Sequence, residues 1–170
     1  MLSLSSLPMA LGVDFDRLQQ VLLSRFGADR VPLLLEWQRM LGAERKTTET
    51  EKLRRVNDFV NRRITFDDDI SVWGQNDYWA TPTEIIGQGR GDCEDFSIAK
   101  YFSLIDLGIP INKLRLVYVK AVQTGPAGTF LQAHMVLAYY ATPTADPLVL
   151  DNSNPQILPA SQRSDLSPIF

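Results

Sequence analysis

The stretch that decides the fold runs from Gly91 to Gly108, "GDCEDFSIAKYFSLIDLG". Its spacing predicts a helix that turns Phe96, Ala99, Tyr101 or Phe102, and Ile105 toward a core, with Gly108 as the stop. Cys93, the only cysteine in the chain, sits at or just before the first turn of that helix. There the unpaired backbone N–H groups and the helix dipole favour an anion. Three carboxylates nevertheless crowd it: Asp92 before, Glu94 and Asp95 after. Acidic neighbours oppose ionisation of a thiol, whereas a nucleophilic cysteine has to become a thiolate.

Downstream of Gly108 the period changes from helical to alternating. "KLRLVYVKAV", "FLQAHMVLAYYA" and "PLVLDN" are short, β-branched and aromatic, divided by "TGPAG" and "TPTAD". They are expected to form consecutive antiparallel strands. Upstream, "DFDRLQQVLLSRFG" places Phe15, Leu18, Val21, Leu22 and Phe26 on one stripe, with Asp14 or Asp16 at the start and Gly27 at the end. "RVPLLLEWQRMLG" predicts a second helix, with Pro32 in its first turn and Gly42 ending it. "TTETEKLRRVNDFVNRRITF" predicts a third, capped by Thr47 or Thr48. Between Asp67 and Arg90 the periodicity fails, and a segment of that length without regular structure points to a functional loop. Its "DDD" run is expected to be a solvated turn, because consecutive side chains point in different directions. "TPTE" has the form of a helix cap at Thr81, with Pro82 first and Glu84 reaching back.

Helices, then a helix carrying the cysteine, then a sheet make an α+β class rather than an alternating one. With 170 residues and 45% apolar composition the expectation is a single domain, 1–170, with a core of its own. A net charge of −3 argues against nucleic acid or an anionic membrane as the main partner. No apolar run approaches the ~20 residues of a spanning helix, so no direct membrane insertion is expected. The opening "MLSLSSLPMALG" lacks a basic n-region and is not read as a signal peptide; it is compatible with the start of a mature exported chain.

His134 is the only histidine and lies within a predicted strand, and Asp151 closes the next one. The two are 17 positions apart, a spacing that suits neighbouring antiparallel strands and would set them side by side. If the sheet packs on the Cys93 helix, a thiol, an imidazole and an orienting carboxylate meet. Each residue also has a plain structural reading. A lone cysteine is usually a small buried hydrophobe, a strand histidine a satisfied structural residue, and an aspartate after a strand a turn former.

"YWATPTEIIGQGRGDCEDFSIAKYFSLIDLGI", "AHMVLAYY" and "PLVLDN" together resemble the bacterial transglutaminase-like cysteine proteinases, over about Trp73 to Asn154. More narrowly, they resemble the periplasmic proteases of that family that release large biofilm adhesins from the cell surface. The resemblance implies a papain/transglutaminase-like fold with N-terminal helices and a catalytic helix packed on an antiparallel sheet. It implies Cys93 as nucleophile, His134 as general base and then acid, and Asp151 as the orienting carboxylate. It also implies a calcium ion, Ca2+, near the active site through Asp92 and Glu94. The implied substrate is a large repetitive cell-surface adhesin cut at a small-residue site near its N-terminus. The implied partner is an inner-membrane cyclic-di-GMP receptor that sequesters the enzyme, and the implied compartment is the periplasm.

Calcium prefers several oxygen ligands, and Asp95, Asn76 and Asp77 offer more beside Asp92 and Glu94. The alternative is that Asp92 caps the helix and Glu94 and Asp95 decorate its first turn without a metal. For the oxyanion, the Cys93 backbone N–H is one expected donor, and the Trp79 indole or a backbone N–H of the same loop a second. Two competing functions share these residues. A transglutaminase or other acyltransferase would admit an amine where a protease admits water, and a non-catalytic calcium-dependent module would keep only the fold.

Overall fold

The computed structural model describes residues 13–169. The opening stretch discussed above, up to Gly12, lies outside the described residues. Three helices come first: α1 (Phe15–Phe26), α2 (Val31–Glu44) and α3 (Glu49–Arg63). Asp14 caps α1 by accepting from the Arg17 N–H, and Thr48 caps α3 by accepting from Glu51. α2 does not stop at Gly42 but continues to Glu44. Leu41 and Glu44 are buried on either side of that glycine, and the packing they secure outweighs the roughly 1 kcal/mol that an interior glycine costs.

The segment from Asp67 to Arg90 is more regular than its sequence predicts. Asp68 caps a short α4 (Asp69–Trp73), which closes on Gly74 in the left-handed region. Thr81 and Glu84 form the expected reciprocal cap of α5 (Pro82–Gln88). Two short parallel strands, β1 (Thr65–Phe66) and β2 (Arg90–Gly91), pin the ends of the segment together. The Asp67 N–H donates to the Gly91 carbonyl at 2.9 Å, so the loop begins beside the residue that leads into the cysteine block.

That block opens α6 (Cys93–Asp106). Phe96, Ile98, Ala99 and Leu104 are buried, and α6 lies between α3 and the sheet. Of the pair Tyr101 or Phe102, it is Tyr101 that packs against the core, while Phe102 is 45% exposed. The sheet order is β6-β5-β4-β3-β7, all neighbours antiparallel. It comprises β3 (Leu114–Gly125), β4 (Gly128–Tyr139), β5 (Leu148–Leu150), β6 (Leu158–Pro159) and β7 (Leu166–Pro168). β3 and β4 pair along their whole length, whereas β5 meets β4 only from Leu137 to Tyr139. Among the described residues, no helix is long and apolar enough to cross a membrane.

One core group is out of character. Lys100, on α6, is fully buried, and its Nζ has no hydrogen-bond partner among the described residues. The ammonium lies 6.0 Å from the Phe96 ring centroid. Burial pushes its pKa down to about 7, with the Asp151 charge resisting. An unfolded lysine titrates near ~10.4. Between those two values the unfolded chain holds one more proton than the folded chain, so stability rises with pH, on the order of 1 kcal/mol per unit. Below about 7 both states are charged and this contribution is flat. Lys100→Met is expected to be more stable than wild type at pH 7 and to lack the rise toward pH 9. Paired thermal melts at the two pH values test this, and parallel changes in the two proteins would refute it.

Candidate active site

The site begins at the N-terminus of α6. Asp92 caps the helix, its Oδ1 accepting from the backbone N–H of Glu94 at 3.1 Å and of Asp95 at 3.4 Å. Cys93 is therefore the first helical residue, half-buried, at the end where backbone N–H groups are unpaired. Gly91 has to be glycine for this turn, since a Cβ there would stand 2.7 Å from the Asp95 Cβ.

Opposite the thiol stand His134 of β4 and Asp151, the residue that follows β5. The β4–β5 register pairs Leu137 with Leu150 and brings His134 Nε2 to 2.8 Å from Asp151 Oδ1. That leaves Nδ1 as the ring nitrogen available to work on sulfur. Cys93 and His134 line one cleft of about 350 Å³, together with Ala133, Gln132, Asn152 and Ser153.

Asp151 is over-determined. Its Oδ1 also accepts from the Ser153 backbone N–H and hydroxyl, each at 2.9 Å, and its Oδ2 from Arg163 Nη2 at 2.7 Å. Burial alone would raise its pKa, but the His134 hydrogen bond and charge, then Arg163, hold it well below the usual carboxylate range. It is an anion at any working pH, as an orienting carboxylate has to be. Asn61 of α3 donates to the Asp151 carbonyl at 2.8 Å, and Asn57 to that of Pro155 at 3.0 Å, which fixes the loop after β5.

The carboxylates around Cys93 behave as the sequence warned. Burial, then the hydrogen bond to Glu94 and its negative charge, push the thiol pKa far up. Cys93 Sγ donates to Glu94 Oε2 at 2.9 Å, and the Tyr118 hydroxyl donates to the other oxygen of Glu94 at 3.2 Å. Burial and the Glu94 charge raise Asp92 to about 7. Burial also carries Asp95 to about 6, although the Ala80 N–H bonds it at 2.9 Å.

Asp69 joins them. It is buried, its pKa is raised by burial, and one of its carboxylate oxygens accepts from the Tyr78 N–H at 2.5 Å. It was expected in a solvated turn, yet the short helix α4 turns it inward. Single oxygens of Asp69, Asp92 and Asp95 lie within 4.8 Å of one another, as do ligand atoms of Asp92, Cys93 and Glu94. Asp69 Oδ1 and Asp95 Oδ2 are buried without a hydrogen-bond partner among the described residues. Crowded carboxylates with orphaned oxygens and raised pKa values are a donor set that fits a hard divalent cation such as calcium. Asn76 and Asp77 remain exposed on the loop and fall in neither group. Trp79 is 49% exposed, with its ring 6.3 Å from that of Tyr118.

Residues 37–165 match the bacterial transglutaminase-like cysteine proteinase family, BTLCP. The chain belongs to that family. The same proteinase fold recurs in Legionella pneumophila LapG. A calcium-bound structure of LapG superposes with a TM-score of 0.78 at 35% identity, covering 93% of this chain and 83% of that one. An EGTA-treated LapG structure gives 0.75 at 35% identity, covering 92% and 80%. A comparison with curated protein sequences gives no match. The chain's single thiol lies at the N-terminus of α6 and shares a cleft with His134.

The sequence did not point to Arg163, Ser153 or Asn61. Arg163 and Asn61 reach Asp151 from 12 and 90 positions away, which no local pattern announces, and Ser153 bonds it from within the turn that follows β5. Asp69 carried no local signal, because its inward placement depends on α4 and on the Tyr78 N–H nine residues on.

Proposed function

We propose that this protein is a calcium-dependent periplasmic cysteine endopeptidase that cuts a large repetitive cell-surface adhesin near its N-terminus, at an Ala-Ala site, and so releases it. The observation that carries the proposal is the shared cleft of Cys93 and His134, with Asp151 locked behind the imidazole. The likeness to calcium-bound LapG at 35% identity supports the calcium part, and the adhesin part rests on the family resemblance. An inner-membrane cyclic-di-GMP receptor is proposed to sequester the enzyme, as the family resemblance implies.

His134 takes the Cys93 proton, and Asp151 steadies the imidazolium that results. The sulfur attacks the scissile carbonyl, whose oxyanion meets the backbone N–H of Cys93 at the start of α6. His134 then hands its proton to the leaving amine, and water admitted on the same face resolves the thioester. Asp92 and Glu94 are proposed as calcium ligands, with Asp69 and Asp95 beside them. When bound, the ion supplies positive charge that offsets the carboxylates around the thiol.

An adhesin N-terminal fragment is incubated with the enzyme, a labelled primary amine, and either calcium or EGTA. Cleavage is expected in calcium, with a loss of about 100-fold in EGTA, as the tenfold cost of each pKa unit at a protonated nucleophile predicts, and recovery on adding calcium back. Label incorporation without chain cleavage would sink the protease reading. Cleavage unaffected by EGTA would remove the calcium requirement.

A further inference from the structure

β4 is twelve residues long and fully paired to β3, but β5 covers only its last part, Leu137 to Tyr139. Where the other edge of β4 reaches α6, the Met135 carbonyl accepts from Ser97 Oγ at 3.2 Å. The odd-numbered residues of β4 therefore turn their polar main-chain groups away from β3. The bonds on the far side of β3 agree. Tyr118, opposite Met135, gives its carbonyl to the Ile169 N–H, and Val122, opposite Leu131, gives its N–H to the Asp165 carbonyl. By the same alternation the N–H and C=O of Ala133 and Leu131 point off the open edge. Among the described residues nothing hydrogen-bonds them.

This edge is unguarded. Gly128 to Ala133, "GTFLQA", carries no charge and no proline, and Leu131 is 63% exposed. Bare apolar edges invite pairing with another chain, and proteins normally blunt them with charges or prolines. Here the bare edge runs directly into the cleft, since Gln132, Ala133 and His134 line it with Cys93.

We infer that the open edge of β4 is the substrate-docking surface: an extended segment of the polypeptide substrate adds as a strand against Leu131 and Ala133 and runs on to Cys93. The inference rests on the protease reading and specifies its substrate class. The scissile bond lies in a chain able to become a β-strand, not in a helix. Main-chain hydrogen bonds hold the segment, and alternate side chains meet the cleft. A peptide without intact amides at the paired positions binds poorly whatever its side chains.

The test is an N-methyl scan of a synthetic peptide spanning the bond the enzyme cuts in the adhesin fragment. Methylation removes one N–H at a time. On one side of the scissile bond, kcat/KM is expected to fall about tenfold or more at every second residue, as loss of a bound N–H predicts, with small effects between. A flat scan, or sensitivity at consecutive residues without alternation, overturns the edge while leaving the protease reading intact. Failure to cleave both the fragment and the unmethylated peptide withdraws both. Leu131→Pro provides a second arm, because it deletes one outward N–H and spares the bonds to β3. It is expected to raise KM about tenfold with kcat kept; wild-type KM and kcat would count against the edge.

Discussion

Cys93→Ala is expected to abolish cleavage of the adhesin fragment, a fall in kcat on the order of 10⁴–10⁶, the range seen when a covalent nucleophile is deleted. The loss is expected without unfolding. The thiol is half-buried, and its bond is to the neighbouring Glu94 rather than to the core. Asp92 caps α6 through its own carboxylate, which the substitution leaves in place. Melting and calcium binding by calorimetry should therefore stay close to wild type, and Glu94, relieved of the thiol, is free to turn to a cation. His134→Ala should cost nearly as much, and the double variant little more, because groups that act as one unit lose their function together. Cleavage that continues at the wild-type rate in Cys93→Ala would remove the proposed mechanism altogether.

Arg163→Met is expected to unfold the protein more readily by about 3–5 kcal/mol, the cost of leaving a buried charge without its partner. Arg163 is 3% exposed and sits between Asp151 and Asp165, donating to each at 2.7 Å. In its absence Asp151 keeps its burial and loses its fixed countercharge. The pH dependence distinguishes this cause from lost packing. Asp151 titrates below the usual range when folded, so its contribution is complete above the unfolded value, near ~4, and is lost as pH falls toward the folded one. The gap between wild type and variant should be full at neutral pH and narrow below about pH 4. Denaturant melts at pH 7 and pH 3 read it, and a gap that does not change with pH would mean that Arg163 serves as packing alone.

Much of the architecture was legible because its signals are local. Thr81-Pro82-x-Glu84 caps a helix by reciprocal bonds within four residues, and Cys93 follows a capping aspartate. The alternating strands around His134 and Asp151 implied a hairpin, and their 2.8 Å contact follows from its register. The segment from Asp67 to Arg90 was less legible. Its short helix α4 is held in part by the partnership of Asp69 with the Tyr78 backbone, nine residues on. Lys100 could not be foreseen as an unpartnered buried cation, since its position on α6 reads as an ordinary break in an apolar stripe. Gly42 misled for the opposite reason. A local stop signal was present, and long-range packing of Leu41 and Glu44 overrode it.

The two asparagines of α3 link parts of the chain that look separable. Asn57 and Asn61 reach the main chain at Pro155 and Asp151, 98 and 90 positions away, and hold the turn from which the Asp151 carboxylate projects. The helical first third is thus not packaging around a self-sufficient helix-and-sheet catalytic unit. A minimised protein that began after α3 would retain Cys93, His134 and Asp151 and still lose the clamp that sets the last of them. Attempts to graft or shorten this enzyme should treat α3 as part of its catalytic inheritance.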